Sequence, residues 1–212
     1  MFLLDPKAAA QLAREGWILS DLSVFGDLID EAEATVLRPS ARNGTARGSL
    51  SAAHGLGAFP GQTDGAHLVR PPRWVLFWSM SGDSDVATVV WDVRGLGAGS
   101  ELATDLVEGT WSVRGGRIPF YSSVLAPDAD PRVVTRLRYN ALCMTPLTPR
   151  ARAAQDRLDA WLGELNPACV RWEPRSALLL DNWRVLHGRE AVTPAESTSR
   201  VLARRWFWPD RR

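Results

Sequence analysis

Apolar positions along this chain fall in short blocks, and most blocks carry the two-residue period or the unbroken apolar run of a strand. Trp74-Val75-Leu76-Phe77-Trp78 predicts a strand over 73–79, and the β-branched run from Val86 to Trp91 predicts a second. Ser81-Gly82-Asp83-Ser84 is the turn between them. Trp17-Ile18-Leu19 and residues 133–144, 169–172, 176–180 and 200–208 read as further strands. Residues 111–114 and 117–124 flank Gly115-Gly116, the signal of a two-residue hairpin.

Helical periodicity is rarer. Residues 7–15 predict a helix with Pro6 at its first turn and Gly16 at its stop. Phe25, Leu28, Ile29 and Ala32 repeat at helical spacing and predict a helix over 25–37, ending before Pro39. Ser100 caps a short helix over 101–107 that stops at Gly109. Thr148-Pro149 opens a helix to residue 165, with Leu158, Trp161, Leu162 and Leu165 in one stripe. Between 40 and 63 the composition shifts to Gly, Ser, Ala and Asn, which predicts a long loop. Many short strands and few helices give a mainly β barrel or sandwich with flanking helices, one domain over 1–212.

Composition narrows the function classes. A net charge of +1 provides no global field toward nucleic acid or a membrane surface. The local basic cluster Arg204, Arg205, Arg211 and Arg212 reads as a solvated end for its last two members. No apolar run is long enough to span a bilayer, and Met1-Phe2-Leu3-Leu4 meets Asp5-Pro6 without the pattern of a signal peptide. Cys143 and Cys169 match no metal or redox spacing, so free thiols in a reducing cytoplasm are expected. Ten tryptophans predict aromatic walls in a core or cleft, with Phe59, Trp74, Trp78 and Trp183 as candidates for either. Gly95-Leu96-Gly97-Ala98-Gly99 lacks the Lys-Ser/Thr of a phosphate loop and the setting of a dinucleotide fold, and no nucleophile elbow is present.

Three stretches carry chemistry. In the run Leu179 to Arg189 an apolar strand reaches Asp181-Asn182, which suits a turn, and His187-Gly188 follows. Such a histidine suits a metal ligand, an acid/base group or a structural core position. Gln62-Thr63-Asp64-Gly65-Ala66-His67 lies in a Gly/Pro-rich stretch, where Asp64 suits either a ligand or an Asx turn. Arg200-Val201-Leu202-Ala203-Arg204 is a strand, so Arg200, Leu202, Arg204 and Trp206 share one face. Two arginines facing the interior of a barrel require anions, because a buried unpaired guanidinium is costly.

These three stretches together resemble the TauD/TfdA-type Fe(II)/2-oxoglutarate-dependent oxygenases. That family carries an early His-x-Asp, a distal His within Asp-Asn-x-Arg-x-x-His-Gly-Arg, and an Arg slightly over ten residues later. The distal context, Asp64 and Arg200 match; where the family has its first His this chain has Gln62. The resemblance implies a double-stranded β-helix (jelly roll), Fe(II) held by Asp64 and His187, and 2-oxoglutarate clamped by Arg200 with Thr88 as a hydroxyl donor. It implies reaction with O₂, with hydroxylation, desaturation or cyclisation of a small amino-acid-like or natural-product substrate and release of succinate and CO₂. Arg204 is then the candidate reader of a substrate anion, or it pairs with Asp92 or another core carboxylate. Arg189 and Arg184 hold the turn through carbonyls or Asp181, and Arg189 is also a candidate contact to 2-oxoglutarate or substrate. His67 is a substitute ligand, a supporting group, or packing against Pro71-Pro72.

Gln62 leaves three readings: ligation through its carbonyl oxygen, a solvent molecule in its place, or loss of the metal. The last gives a non-catalytic jelly-roll protein that binds an anion or serves a partner. A cupin-like isomerase or lyase is a third class. A homodimer is compatible with each, and the oligomeric state stays open.

Overall fold

A computed structural model describes residues 4–42, 49–96, 100–126 and 136–209. Parts of the long loop (43–48), of the glycine-rich run (97–99) and of one predicted strand (133–135) lie outside the described residues, as do Met1 to Leu3, Arg211 and Arg212.

In chain order the elements are α1 (Pro6–Glu15), β1 (Trp17–Asp21), two 3-10 turns (Leu22–Leu28 and Glu31–Glu33), β2 (Thr35–Leu37), α2 (Leu50–His54) and β3 (Phe59–Gln62). Then come β4 (Trp74–Ser79), β5 (Ser84–Asp92), α3 (Glu101–Glu108), β6 (Trp111–Val113), β7 (Phe120–Ser122), β8 (Leu125–Ala126), β9 (Arg136–Leu137) and β10 (Met144–Pro146). The chain finishes with α4 (Pro149–Glu164), β11 (Ala168–Trp172), β12 (Ser176–Asp181), β13 (Val185–Arg189) and β14 (Leu202–Phe207).

Two antiparallel sheets face each other, one in the order β1-β12-β4-β14-β2 and the other β11-β5-β13-β3. The pleat explains why their strands read as unbroken apolar runs: both faces are covered. Val75, Phe77, Leu178, Leu180 and Leu202 point inward against Val90, Val170, Trp172 and Val185. The alternate residues Leu76, Trp78, Ala177, Leu179 and Ala203 pack outward under α1 through Ala8 and Leu12. Behind the second sheet, Leu186 and Trp91 pack against α3 and α4 through Leu106, Ala154 and Leu158. This is the expected jelly roll with flanking helices. Among the described residues no helix is long and apolar enough to cross a membrane.

Five expectations are corrected. The helix over 25–37 is two 3-10 turns followed by β2. Phe25 sits at φ −110°, outside helical geometry, and the Asp21 and Asp30 side chains cap separate turns at Ser23 and Ala32. Thr35-Val36 favours a strand and completes the open edge of β14. The loop over 40–63 contains α2 and β3. Gly115-Gly116 is not a two-residue turn: β6 and β7 pair Val113 with Phe120 across a longer connection. There Gly115 takes φ +92°, and a Cβ on Gly116 would stand 2.5 Å from the His67 carbonyl oxygen. The strand over 133–144 is in the described part only β9, an irregular stretch and the start of β10. Arg200 lies just before its strand, yet the alternation survives, since Arg200, Leu202, Arg204 and Trp206 all line one cavity.

Candidate active site

The site begins with sheet register. On β13, His187 sits opposite Gln62 of β3 and Val90 of β5, and Arg189 sits opposite Thr88. Directly opposed residues share a face, so Gln62 and His187 form one inward row and Thr88 and Arg189 the next. The rows are one pleat repeat apart, about 7 Å along the strand. Gly188 lies between them at a bulge, where a Cβ would meet the Phe59 carbonyl oxygen at 2.3 Å. Glycine is what allows β3 to approach β13 this closely.

Asp64 follows β3 on a loop held by the β12–β13 turn. Its backbone N–H donates to Asn182 Oδ1 at 2.9 Å, and Asn182 Nδ2 donates to the carbonyls of Asp64 (3.0 Å) and Pro72 (2.8 Å). Asn182 is fully buried and imitates a strand partner. Its neighbours complete the fixture. Trp183 Nε1 donates to the Pro71 carbonyl, and Asp181 pairs with Arg73 and accepts from the Trp183 N–H. Burial raises the Asp181 carboxyl against the pull of Arg73. The Asp181-Asn182-Trp183 triplet is therefore the clamp that brings the Asp64 loop to His187.

The two oxygens of Asp64 differ. Oδ2 accepts from Arg204 Nη1 at 3.0 Å and Trp206 Nε1 at 2.9 Å. Among the described residues Oδ1 has only His187 Nε2 at 3.4 Å and Gln62 Nε2 at 3.5 Å, both longer than an ordinary N–H···O bond. Burial alone would push this carboxyl up; Arg204, His187 and Trp206 outweigh it and hold the group well below the usual carboxylate range. His187 packs edge-on against Phe77, and its Nδ1 is buried with no hydrogen-bond partner among the described residues. Asp64 Oδ1 and His187 Nε2 thus face each other at 3.4 Å. One carboxylate oxygen and one imidazole nitrogen fit a divalent first-row cation as two of the three protein donors of a facial set. Among the described residues no third His, Cys, Asp or Glu joins them. The Gln62 Oε1 accepts a bond from Asn140 Nδ2.

At the other row Arg200, 6% exposed, donates from Nη2 to Thr88 Oγ1 (2.9 Å) and from Nε to the Val86 carbonyl (3.2 Å). It has no carboxylate partner among the described residues. Burial, and then the neighbouring Arg189, push its guanidinium down to about 9, still cationic at neutral pH. Thr88 Oγ1 accepts from both Arg200 and Trp172 Nε1, two groups that only donate. Its own O–H is left to donate elsewhere.

Both rows open on one cavity of about 620 Å³, lined among the described residues by four arginines (38, 189, 200 and 204) against the single carboxylate of Asp64. Arg189 donates to the carbonyls of Gly55, Gly57 and Glu190 and lies 3.8 Å from the Phe59 ring centroid, so it fastens the segment after α2. Arg204, expected to read a substrate anion or pair with a core carboxylate, is placed on Asp64; Asp92 pairs with Arg94. His67 lines the cavity, and burial pushes its imidazole down against the pull of Asp64. Phe59 lines it too, whereas Trp74 and Trp78 pack in the outer core and Trp183 underpins the Asp64 loop.

Sequence reading placed Trp206 on the inward face without giving it a role, and it did not single out Asn140. Trp206 was signalled by its alternation with Arg200 and Arg204. Asn140 carried no local signal, being 78 residues from the Gln62 it contacts.

A scan of protein-family models and a search of curated proteins return no match. Solved structures do. A non-heme iron oxygenase, OrfP, in complex with Fe and alpha-ketoglutaric acid superposes with a TM-score of 0.64 at 19% identity, covering 84% of this chain and 57% of that one. An asparagine oxygenase in complex with Fe(II), 2S,3S-3-hydroxyasparagine and succinate gives a TM-score of 0.60 at 19% identity, covering 94% and 79%. The same OrfP with Fe, succinate and (3S)-hydroxy-L-Arg gives 0.64 at 18% identity. This chain spans less than two thirds of the length of OrfP. By these likenesses and its own topology, the chain has the jelly-roll fold of the non-heme iron oxygenases.

Proposed function

We propose that this protein is an Fe(II)/2-oxoglutarate-dependent oxygenase that hydroxylates, desaturates or cyclises a small amino-acid-like or natural-product molecule. The observation that carries the reading is the buried Arg200, a cation without a carboxylate partner among the described residues, one row from the His187–Asp64 pair in the same cavity. An unpaired buried guanidinium is unfavourable until an anion arrives, and a planar carboxylate matches its fork. The roughly 7 Å between rows is a span that a five-carbon dicarboxylate bridges.

His187 Nε2 and Asp64 Oδ1 would hold the iron, which when bound supplies the activation of O₂. Arg200 and the Thr88 O–H bind the far carboxylate of 2-oxoglutarate and set its direction toward the pair. Arg204 and Trp206 occupy Oδ2 of Asp64 and so fix which oxygen it presents. Phe77 restrains the imidazole plane, and Phe59 and Leu202 exclude water from the cavity walls. The 2S,3S-3-hydroxyasparagine and (3S)-hydroxy-L-Arg held by the superposed oxygenases support an amino-acid-like substrate here. Two free cysteines fit a reducing cytoplasm.

Anaerobic addition of Fe(II) and 2-oxoglutarate is expected to give a weak visible charge-transfer band, and admission of O₂ to give succinate. Binding of 2-oxoglutarate that is indifferent to metal, with no succinate under any condition, would replace this reading with a non-catalytic anion-binding protein.

A further inference from the structure

The orientation of the Gln62 side chain is settled by groups that have only one hydrogen-bonding sense. Asn140 Oδ1 accepts from the Leu142 backbone N–H at 2.9 Å, and a backbone N–H can only donate. The Asn140 side-chain nitrogen therefore faces Gln62, and Gln62 answers with Oε1. Its Nε2 is left toward Asp64 Oδ1, an ionised oxygen that can only accept. Turning the Gln62 amide over would set NH₂ against NH₂ at Asn140. Turning Asn140 as well would set its NH₂ against the Leu142 N–H. Both ends of the relay agree on one polarity.

We propose that Gln62 is a hydrogen-bond donor at the His187–Asp64 centre and not a ligand of the metal, with Asn140 as the positioning residue that keeps its carbonyl oxygen turned away. The protein then supplies two donors, and the coordination position that a third protein ligand would fill goes to a solvent molecule within reach of the Gln62 NH₂. This rests on the metal reading above. It adds a chemical consequence: any ligand in that position must accept a hydrogen bond, so water and small anions suit it and an ammonium or amide N–H does not.

Mn(II) is a suitable probe, because electron paramagnetic resonance gives its affinity and water-proton relaxation reports exchangeable water on the bound ion. In Gln62→Ala the relaxation per bound ion is expected to stay at the native level, and in Gln62→His to fall as imidazole displaces water. Asn140→Leu releases the amide to present Oε1, so affinity is expected to rise and relaxation per bound ion to fall. That gain should vanish in Gln62→Ala/Asn140→Leu, an interaction that a merely structural role for Asn140 would not produce. A rise in relaxation per bound ion in Gln62→Ala would mean that water has replaced a ligating oxygen, and overturns the inference. Binding by Gln62→His but not by the native chain also overturns it while sparing the site geometry. No binding by either overturns the proposed function as well.

Discussion

The two ends of the cavity hold the same kind of group in opposite situations. Arg204 lies 3.0 Å from Asp64 and is neutralised by it, whereas Arg200 is buried deeper and, among the described residues, has only a hydroxyl and a carbonyl for company. A buried pair that loses one member leaves an uncompensated charge, but a buried lone charge is already uncompensated. The Arg204 end is therefore built to stand as it is, and the Arg200 end is built to be completed by a ligand. Charge alone does not mark a binding residue; the missing counter-charge does.

The sharpest challenge to this contrast is Arg200→Met. Affinity for 2-oxoglutarate, read by anaerobic calorimetry with Fe(II), is expected to fall at least about 100-fold, near 3 kcal/mol. The melting temperature should hold or rise, since an unpaired buried cation has been removed. A stable fold that keeps its affinity would end the assignment of Arg200 as the anion site.

Arg204→Met should behave in the opposite sense. The metal-free fold is expected to lose about 3 kcal/mol in urea titration, because Asp64 is left buried without its guanidinium partner. Divalent metal binding should tighten, by about tenfold, since a nearby cation no longer competes for the carboxylate. Weaker metal binding with unchanged stability would reverse the roles given to the two ends.

Asn182→Ala removes the clasp on the Asp64 loop and is expected to cost about 2–3 kcal/mol of stability. Metal affinity should fall with it, while 2-oxoglutarate binding through Arg200 and Thr88 should change less. Equal loss at both ends would mean that the cavity is one mechanical unit. Gly188→Ala tests the spacing between the rows. The added Cβ collides with the Phe59 and Pro60 carbonyl oxygens, at an expected cost of about 2 kcal/mol. The β13–β5 pairing of Arg189 with Thr88 should survive on the other side. Mutant metal affinity should therefore drop further than mutant anion affinity.

The smallest effect is in pH. Arg200 is cationic below about 9 in the folded protein, and only the cation binds a carboxylate. Affinity for 2-oxoglutarate should be flat from about pH 6 to 8 and weaken as the pH rises through about 9. Thr88→Val should lower the affinity modestly without moving that profile, because it removes a donor and not the charge.

Sequence alone determined the features that depend on near neighbours. Trp74 to Trp78 and Ala177 to Leu180 are apolar at every position, which identifies strands covered on both faces. The two-residue alternation put Arg200, Arg204 and Trp206 on one face, and Asp181-Asn182 identified a turn before His187. Only tertiary structure decided what depends on distant partners. Phe59-Pro60-Gly61-Gln62 has little strand character of its own and is a strand because β13 pairs with it. Thr35–Leu37 is a strand because β14 has an open edge. Asp64 meets Arg204 and Trp206 from 140 and 142 residues away, and Gln62 meets Asn140 from 78. Periodicity records which face a side chain takes, but the hydrogen-bonding sense of an amide and the counter-charge of a guanidinium are set by whatever the fold brings opposite.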